Sequence, residues 1–238
     1  MKAKAAGASP TVATALALLK KRSSKKVLEG MARYGLPSKN AWGVSVSGIQ
    51  AVAKKLGRDH ELAAGLWETG IYEARMLTAF VDEPDKVTPA QMERWCGNFD
   101  NWGICDTLCF CLFDRTPHAW KKVAVWSGRR GEFQKRAGFA LLACLATHDK
   151  TAPDASFARC LPLIARGATD ERNFVKKGVS WALRGVGRRS PALYASSVAL
   201  SKRLAASSND AARWVGKEAL REFSKPALVK KLGAKARS

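Results

Sequence analysis

FQKRAGFALL at 133–142, FVKKGVSWAL at 174–183 and WVGKEALREF at 214–223 are three versions of one segment, and they decide the fold. Each begins with an aromatic residue, carries a cation among its first four residues, and continues with apolar residues at helical spacing. Their first residues lie 41 and 40 positions apart, a period that belongs to repeated two-helix units of about 40 to 47 residues. IYEARMLTAF at 71–80 fits the same template more loosely. The sequence therefore predicts a stack of two-helix repeats, each of which buries its apolar face against its neighbours.

The predicted fold class is all-α: an α-solenoid of HEAT-like two-helix repeats with a concave basic surface. No segment sustains the period-2 alternation of a strand, and only VSVSGI at 44–49 looks extended. Thr88, Thr116 and Ser190 each precede a proline, the order of residues that is typical of a helix start. The predicted helices begin near Thr11, Lys25, Ser47, Asp59, Gly70, Thr88, Asp100, Thr116, Gly131, Ala155, Asp170, Pro191, Asn209 and Lys225.

The chain is strongly basic, with 41 lysines and arginines against 20 acids and a formal charge of +21. Such an excess indicates nucleic acid as the first candidate partner and an anionic membrane surface as the second. A highly soluble protein with no polyanionic partner is the third interpretation. No apolar run reaches the length of a membrane span, so we expect a cytoplasmic protein, and a monomer. TVATALALL at 11–19 resembles a signal peptide, but it ends in KKRSSKK, so a first helix is predicted.

The chain divides into three predicted segments. Residues 1–26 form a basic N-terminal segment with the first helix, residues 27–231 form a single repeat domain, and residues 232–238 form a basic C-terminal tail. The first segment holds seven cations and no acid, and residues 225–238 hold five cations and no acid. Both ends are expected to add non-specific affinity for a polyanion.

Cations recur at matching places near the starts of the repeated helices. Stacked repeats bring equivalent positions into a line, and a line of cations would follow a phosphate backbone. The alternative is that these cations are merely solvated, although they oppose the helix dipole slightly. Because that small cost recurs in three consecutive repeats, we favour a shared purpose. The predicted phosphate-binding residues are Lys135, Arg136, Lys176, Lys177 and Lys217, with Arg75 as a looser counterpart.

NWGICDTLCFCLF at 101–113 holds a single charge, Asp106. Trp102 lies four residues earlier, so on a helix the two side chains share one face. A carboxylate is costly beside apolar groups unless something pairs with it or uses it. Two interpretations stay open: Asp106 faces an electron-poor group of a polyanion, or it pairs with a basic residue of the next repeat and holds the stack together.

Four of the six cysteines cluster between Cys96 and Cys111, inside apolar sequence. Free cysteine behaves as a small apolar residue, so core packing in a reducing compartment is predicted. A metal site is the alternative, but the Cys-x3-Cys-x-Cys spacing from Cys105 matches no standard zinc or iron–sulfur pattern. We therefore expect no metal.

From about Met31 to about Lys231, the sequence resembles the DNA alkylation repair glycosylases built from HEAT-like repeats, the AlkD-type family. The Trp-x3-Asp and Lys-x4-Trp segments together are fairly specific for this family. The segments that carry the resemblance are MARYG at 31–35, LWETGIYEARMLTAFV at 66–81, FDNWGICDTL at 99–108, FQKRAGF at 133–139 and FVKKGVSWALR at 174–184.

The resemblance implies a role for individual residues. The catalytic aspartate of the family falls on Asp106, and the aromatic residue beside it falls on Trp102. The second aromatic residue of the lesion site falls on Trp181, and the arginine that holds DNA near the lesion falls on Arg136. A DNA-contacting tyrosine from the N-terminal helices falls on Tyr34.

The sequence departs from the family inside this motif, because Gly103 stands where many relatives carry an acid. A glycine in the middle of a helix costs about 1 kcal/mol relative to alanine. It is expected to alter the setting of Asp106 or the preference for a lesion.

The resemblance implies a monofunctional glycosylase that hydrolyses the N-glycosidic bond of alkylated purines in double-stranded DNA, without a cofactor or a metal. Residues 27–231 would form the DNA-binding and catalytic domain. The alternatives are a non-catalytic HEAT-repeat binder of damaged or structured DNA, a HEAT scaffold for an acidic protein partner, and a lyase that acts through a lysine Schiff base.

Overall fold

The computed structural model describes residues 11–36 and 39–235, which fall into two compact units divided between Val87 and Thr88. The predicted terminal cations Lys2, Lys4 and Arg237 lie outside the described residues. A short 3-10 helix, Ala32–Tyr34, follows the second helix of the first unit. The α-helices of the first unit are α1 (Val12–Lys20), α2 (Lys25–Met31), α3 (Val46–Leu56), α4 (His60–Glu68) and α5 (Tyr72–Val81).

The second unit contains the segments that carry the 40-residue period. It also contains a 3-10 helix, Phe113–Arg115. Its α-helices are α6 (Pro89–Gly97), α7 (Trp102–Cys111), α8 (Ala119–Trp126), α9 (Glu132–His148), α10 (Asp154–Ala158), α11 (Leu161–Gly167), α12 (Asn173–Gly187), α13 (Pro191–Ala205), α14 (Asp210–Phe223) and α15 (Pro226–Lys235). The last helix runs into the segment predicted as the C-terminal tail.

The all-α prediction is confirmed, since residues 11–36 and 39–235 contain no strand. Of the segment at 44–49, Ser45 is extended, and α3 begins at Val46, one residue before the predicted start at Ser47. Ser45 caps this helix by accepting a hydrogen bond from the Gly48 backbone N–H at 3.2 Å, and this cap outweighs the β-propensity of the valines.

One predicted helix start also needs correction, and one helix was not predicted. Thr116 does not cap a helix. Its hydroxyl instead donates to the Phe113 carbonyl at 2.8 Å, and α8 begins three residues later at Ala119. Helix α11 has no counterpart among the predicted starts. Cys160 at its N-cap makes no side-chain capping hydrogen bond, although Pro162 in the first turn is typical of a helix start. The starts at Thr88 and Ser190 are confirmed, with each side chain capping its helix.

The three segments of the repeat become α9, α12 and α14, which are neighbours in the second unit. Helices α9 and α12 run in the same direction, because Phe133 and Phe174 stack at their first turns with ring centres 5.2 Å apart. Further along, Gly185 faces Ala143, where a Cβ would lie 3.4 Å from the Ala143 Cα. The repeat therefore aligns equivalent residues of successive helices, as the period predicted.

A buried carboxylate organises the loop of the first unit that precedes α3. The Glu73 side chain is fully buried and accepts hydrogen bonds from the backbone N–H groups of Trp42, Gly43 and Val44 at 2.7 to 3.1 Å. Gly43 has φ of 73°, and a Cβ at this position would lie 2.4 Å from the Ser24 carbonyl oxygen. The loop therefore requires glycine at this position and an acceptor beneath it.

The cysteine prediction agrees with the structure, since all six thiols are free and five are buried. Burial raises the pKa of Cys109 and of Cys144 well above the ordinary value, which keeps these thiols protonated and unreactive. Among the described helices, none is both long enough and apolar enough to cross a membrane.

Candidate functional site

Helix α7 presents Trp102 and Asp106 one turn apart on one face. Its first turn is capped by Asn101, whose side-chain oxygen accepts from the Ile104 backbone N–H at 2.9 Å. Both Trp102 and Asp106 are half-buried, whereas five other residues of the helix pack inward. The buried residues of α7 are Gly103, Ile104, Cys105, Leu108 and Cys109.

Arg136 of α9 forms a bidentate ion pair with the Asp106 carboxylate. Its Nε donates to Oδ1 at 2.8 Å and its Nη2 donates to Oδ2 at 2.6 Å. The remaining guanidinium nitrogen, Nη1, donates to the backbone carbonyl of Phe174 at 2.7 Å. One guanidinium group therefore joins α7, α9 and α12. The pairing with a basic residue of the next repeat, one of the two interpretations of Asp106, is present in the structure.

Burial shapes the electrostatics of this ion pair. Only 8% of the Arg136 side chain and 19% of the Asp106 side chain are exposed. Burial raises the pKa of the Asp106 carboxyl above its ordinary value, and the hydrogen bonds from Arg136 act in the opposite direction. A carboxylate with a raised pKa is a stronger base than an exposed aspartate.

The ion pair leaves part of the Asp106 carboxylate available. Each carboxylate oxygen can accept two hydrogen bonds, and Arg136 uses one on each oxygen. About a fifth of the Asp106 side chain is exposed, and Trp102 lies one turn earlier on the same helix. Asp106 is therefore able to accept a hydrogen bond from water, or to face a cationic group, while Arg136 fixes its orientation.

Trp181 lies on α12, seven residues beyond Phe174, and is half-buried. Its indole lines a groove of about 540 Å³ at the C-terminal ends of α9 and α12. Asp106, Trp102 and Arg136 are not among the described residues of this lining. The groove is lined by Ala146, Thr147, Lys150, Ala152, Pro153, Asp154, Trp181, Gly185, Arg188, Arg189 and Lys231.

The predicted phosphate-binding residues of the second unit differ in their surroundings. Lys135 is only 20% exposed and its Nζ donates to Asp170 Oδ2 at 2.9 Å. Lys176 lies over the Trp214 ring, with its Nζ 5.4 Å from the ring centre. Lys177 and Lys217 are exposed, at the repeat positions that correspond to Arg136. The repeat thus aligns three cations, of which the first is buried in an ion pair and the other two face solvent.

Arg75 and Tyr34 belong to the first unit. The Arg75 guanidinium lies over the Trp67 ring at 4.9 Å, and its Nε donates to the Trp67 carbonyl at 3.3 Å. Tyr34 ends the 3-10 helix and is 69% exposed. It lines an apolar pocket of about 270 Å³, together with Met31 and Tyr72 among others.

The sequence matches the family described as DNA alkylation repair enzyme over residues 15–223. The chain belongs to the DNA alkylation repair enzyme family. No curated protein matches the sequence significantly.

The fold of this member of the DNA alkylation repair enzyme family is similar to that of a solved structure, with a TM-score of 0.73 and 17% sequence identity. The alignment covers 89% of this chain and 94% of that chain. The solved structure is described as "A new family of proteins related to the HEAT-like repeat DNA glycosylases with affinity for branched DNA structures". The predicted fold of HEAT-like repeats is thereby confirmed. A designed armadillo repeat protein matches at a TM-score of 0.33 and 11% identity, covers 83% of this chain and 100% of that chain, and supports no conclusion.

Sequence reasoning missed a second buried aspartate with a side-chain partner in this alkylation repair family member. His148 Nδ1 is hydrogen-bonded to Asp114 Oδ2, and the Asp114 side chain is fully buried. The His148 ring also meets Phe110 edge to face, with ring centres 4.4 Å apart. Phe110 is 39% exposed and lies one turn beyond Asp106, a spacing that is visible in the sequence.

The described residues contain no group of three or more histidine, cysteine or acidic side chains placed to hold a metal ion.

Proposed function

We propose that this protein is a DNA glycosylase that hydrolyses the N-glycosidic bond of cationic alkylated purines, such as 3-methyladenine and 7-methylguanine, in duplex DNA. The observation that supports this most is the Asp106 carboxylate, which Arg136 orients and which stays partly exposed one turn from Trp102. We propose that the protein acts as a monomer and uses neither a metal nor a cofactor.

Alkylation at a ring nitrogen gives the purine a positive charge, which makes the base a good leaving group. When the bond from C1′ to the base breaks, the electron pair stays with the base, which departs neutral. The sugar is left as an oxocarbenium-like cation, and water adds to C1′ and loses one proton. A carboxylate stabilises that cation and positions the water or accepts its proton. Asp106 supplies that single carboxylate. Because the base departs neutral, the reaction requires no protonated acid from the protein.

Arg136 has two opposing effects on this reaction. Its fork fixes the direction of the carboxylate, which favours the correct geometry in the transition state. Its positive charge also offsets part of the field that Asp106 exerts on the sugar. Because burial raises the pKa of Asp106 despite this neighbour, the carboxylate keeps its strength as a base.

The remaining residues bind the substrate in this proposal. The Trp102 and Trp181 faces pack on the cationic nucleotide, since an aromatic face attracts positive charge. The phosphate-binding residues are Lys176, Lys177, Lys217 and Arg75, with Tyr34 as a further DNA contact. Lys135 is held by Asp170 and is left out of this set. Among those of the second unit, the exposed Lys177 and Lys217 are the most accessible to a phosphate.

The test is release of free methylated bases from duplex DNA treated with a methylating agent, with wild type beside Asp106→Asn. We expect the variant to lose base release by about a hundredfold to a thousandfold, the loss typical of removing one group that stabilises charge in a transition state. Duplex binding should change little, because the neutral amide keeps the shape of the site.

Glu171→Gln is the matched control, since it removes one exposed carboxylate from the same unit. It should release bases at the wild-type rate. Equal loss of binding and release in Asp106→Asn, or unchanged release, would count against a catalytic role for Asp106.

A second candidate function is non-catalytic recognition of structured DNA. It is favoured by the engagement of both Asp106 oxygens by Arg136, and by Gly103 in the helix where many relatives carry an acid. The protein of similar fold is described as having affinity for branched DNA structures. This candidate predicts that the wild type releases no base at all, yet binds a four-way junction more tightly than a duplex of the same length.

A further inference from the structure

His148, the last residue of α9, is tied to a carboxylate that solvent does not reach. Its Nδ1–H donates to Asp114 Oδ2, and the Asp114 side chain is fully buried. The other carboxylate oxygen, Oδ1, is also buried and has no hydrogen-bond partner among the described residues. A buried carboxylate is costly unless a positive charge or further donors offset it. A protonated His148 therefore offsets the charge of Asp114.

The two ring nitrogens of His148 have different surroundings. Nδ1 faces the buried carboxylate, whereas Nε2, on the far side of the ring, makes no hydrogen bond to the described residues. The Phe110 ring meets the imidazole edge to face, with ring centres 4.4 Å apart, and limits its rotation. About a third of the His148 side chain is exposed, at 30%. The ring is thus held on two sides and has one nitrogen available to a ligand.

The His148 ring lies next to the face of α7 that carries Asp106. Phe110, which contacts the ring, is one turn beyond Asp106, or about 6 Å along the helix. Phe110 is 39% exposed, so this turn of the helix is open to solvent. A DNA duplex carries one phosphate charge for about every 1.7 Å of its axis. A duplex that meets Asp106 therefore also brings phosphates to the turn that holds Phe110.

We propose that His148 binds a phosphate of the DNA, with its protonated Nε2 donating to a phosphate oxygen while Asp114 and Phe110 hold the ring. The proposal rests on the proposed function only in taking DNA as the ligand of the Asp106 face. A hydrogen bond from a cationic donor to a phosphate is stronger than one from a neutral donor, and a donor that is already fixed loses little freedom on binding. Unlike a lysine contact, this contact forms only when the imidazole is protonated.

The groups around the ring determine what changes with pH. Arginine and lysine keep their charges between pH 5.5 and 7.5, and so does Asp149, whose pKa is lowered by hydrogen bonds despite its partial burial. Burial raises the pKa of Cys144, and a thiol is ordinarily neutral at these pH values. The titratable and charged groups of α7, the 3-10 helix, α9 and the segment after it near the ring are Cys111, Asp114, Arg115, Cys144, Asp149 and Lys150.

Asp114 responds to pH but does not contact DNA, because its side chain is fully buried. Burial raises its pKa above the ordinary value, and the contact with His148 acts in the opposite direction. Histidine ordinarily changes its charge near pH 6.5. His148 is therefore the group of this cluster whose charge can both meet a phosphate and change between pH 5.5 and 7.5.

The experiment measures how the affinity for an unmodified, labelled duplex depends on salt at pH 5.5 and at pH 7.5. For wild type, the logarithmic slope should be steeper at pH 5.5 by about 0.9, because one more phosphate is neutralised. The affinity at physiological salt should be about threefold to fivefold higher at pH 5.5, the upper range for one ion pair near water. His148→Gln should lose both differences, since glutamine is polar but carries no charge.

His118→Gln is the matched control, because His118 is a half-buried histidine of the same unit that makes no side-chain capping hydrogen bond to α8. It should keep both differences. Asp114→Asn with His148→Gln removes the pair without leaving a buried charge, so it tests the same loss where His148→Gln alone is destabilised. This double variant should behave like His148→Gln.

A steeper slope at pH 5.5 in either protein that lacks His148, or its loss in His118→Gln, would overturn the proposal. Equal wild-type slopes at the two pH values would overturn it as well. An ion pair with a purely structural role would make the free energy of unfolding depend on pH and would leave the slope unchanged. Because the DNA is unmodified, absence of base release by the wild type would contradict the glycosylase proposal and leave this result standing.

Discussion

Asp106 and Asp170 meet the same kind of partner and respond in opposite ways. Arg136 donates from Nε and Nη2 to Asp106 at 2.8 and 2.6 Å, and Arg172 donates from the same two atoms to Asp170 at 2.9 and 2.6 Å. Burial raises the pKa of Asp106, whereas hydrogen bonds from Arg172 lower the pKa of Asp170. The same pairing geometry therefore does not by itself determine the direction of a carboxyl group's pKa shift.

The difference comes from burial and from a second cation. Arg136 is 8% exposed, so its ion pair with Asp106 has lost most of its hydration, while Arg172 is 39% exposed. Asp170 also receives Lys135 at 2.9 Å. A carboxylate with two cations near water is stabilised in its charged form, and one with a single buried cation is held closer to protonation. The first arrangement suits a structural contact, and the second suits a base.

The largest expected difference between the two ion pairs is in stability. Arg136→Ala leaves a buried carboxylate without its partner, and we expect it to lower the free energy of unfolding by about 3 to 5 kcal/mol. Arg172→Ala should lower it by at most about 1 kcal/mol, because Arg172 is partly exposed and Lys135 stays on Asp170. Urea unfolding of the two variants beside wild type measures both changes. Similar losses in the two variants would mean that burial does not make the two ion pairs differ in stability. Arg136→Lys keeps the charge but not the bidentate contact, so its free energy of unfolding should lie between those of wild type and Arg136→Ala.

A smaller effect distinguishes the two acids by the sign of a pH dependence. Folding lowers the pKa of Asp170. Its contribution to the free energy of unfolding is therefore complete above the unfolded pKa of about 3.9 and is lost as pH falls through the folded pKa. Folding raises the pKa of Asp106, so its contribution to the free energy of unfolding is complete below about 3.9 and is lost as pH rises through the folded pKa.

The stability of wild type relative to Asp170→Asn should therefore decrease as pH falls below about 4, and that relative to Asp106→Asn should decrease as pH rises from about 4. Denaturant unfolding of the three proteins across this range measures both trends. If the two differences change with pH in the same direction, burial does not dominate at Asp106.

The smallest expected effect is on the salt dependence of DNA affinity, and it distinguishes a lysine paired with an acid from lysines that face solvent. Lys177→Ala with Lys217→Ala should flatten the dependence of duplex affinity on salt, by about 0.9 in the logarithmic slope for each phosphate that the variant no longer neutralises. Lys135→Ala should leave the slope unchanged, because Lys135 is paired with Asp170. Titrations of a labelled duplex at several salt concentrations measure the slopes. A flatter slope for Lys135→Ala, with none for the double variant, would place the phosphate-binding group on the buried lysine.

Much of the fold was predictable from local sequence. The 40-residue period located α9, α12 and α14, and the proline-containing caps at Thr88 and Ser190 located α6 and α13, because these signals act within a few residues. The failures are also local in origin. The Thr116 hydroxyl donates to the Phe113 carbonyl instead of capping α8, and α11 has a proline in its first turn but no capping side chain at Cys160.

The candidate site was predictable only in part. The Trp102–Asp106 face follows from helical spacing, but the fork from Arg136 joins side chains 30 residues apart, and sequence left the partner of Asp106 open. Helical spacing also placed Phe110 one turn beyond Asp106, yet its contact with His148 depends on how α9 ends. The cations of the groove come from the segments that follow α9 and α12 and from α15, which no period relates.

The sequence alone determined the all-helical class, the repeat and the basic charge. Helix periodicity depends on residues close together in the sequence, and net charge depends only on composition. Only the tertiary structure decided which of the aligned cations are buried and which face solvent. Arg136, Lys177 and Lys217 occupy equivalent positions, yet only Arg136 meets a carboxylate from the preceding helix of the stack. The physical reason is that the free energy of a charge depends on its exposure and its partners, and both are set by the packing of distant segments.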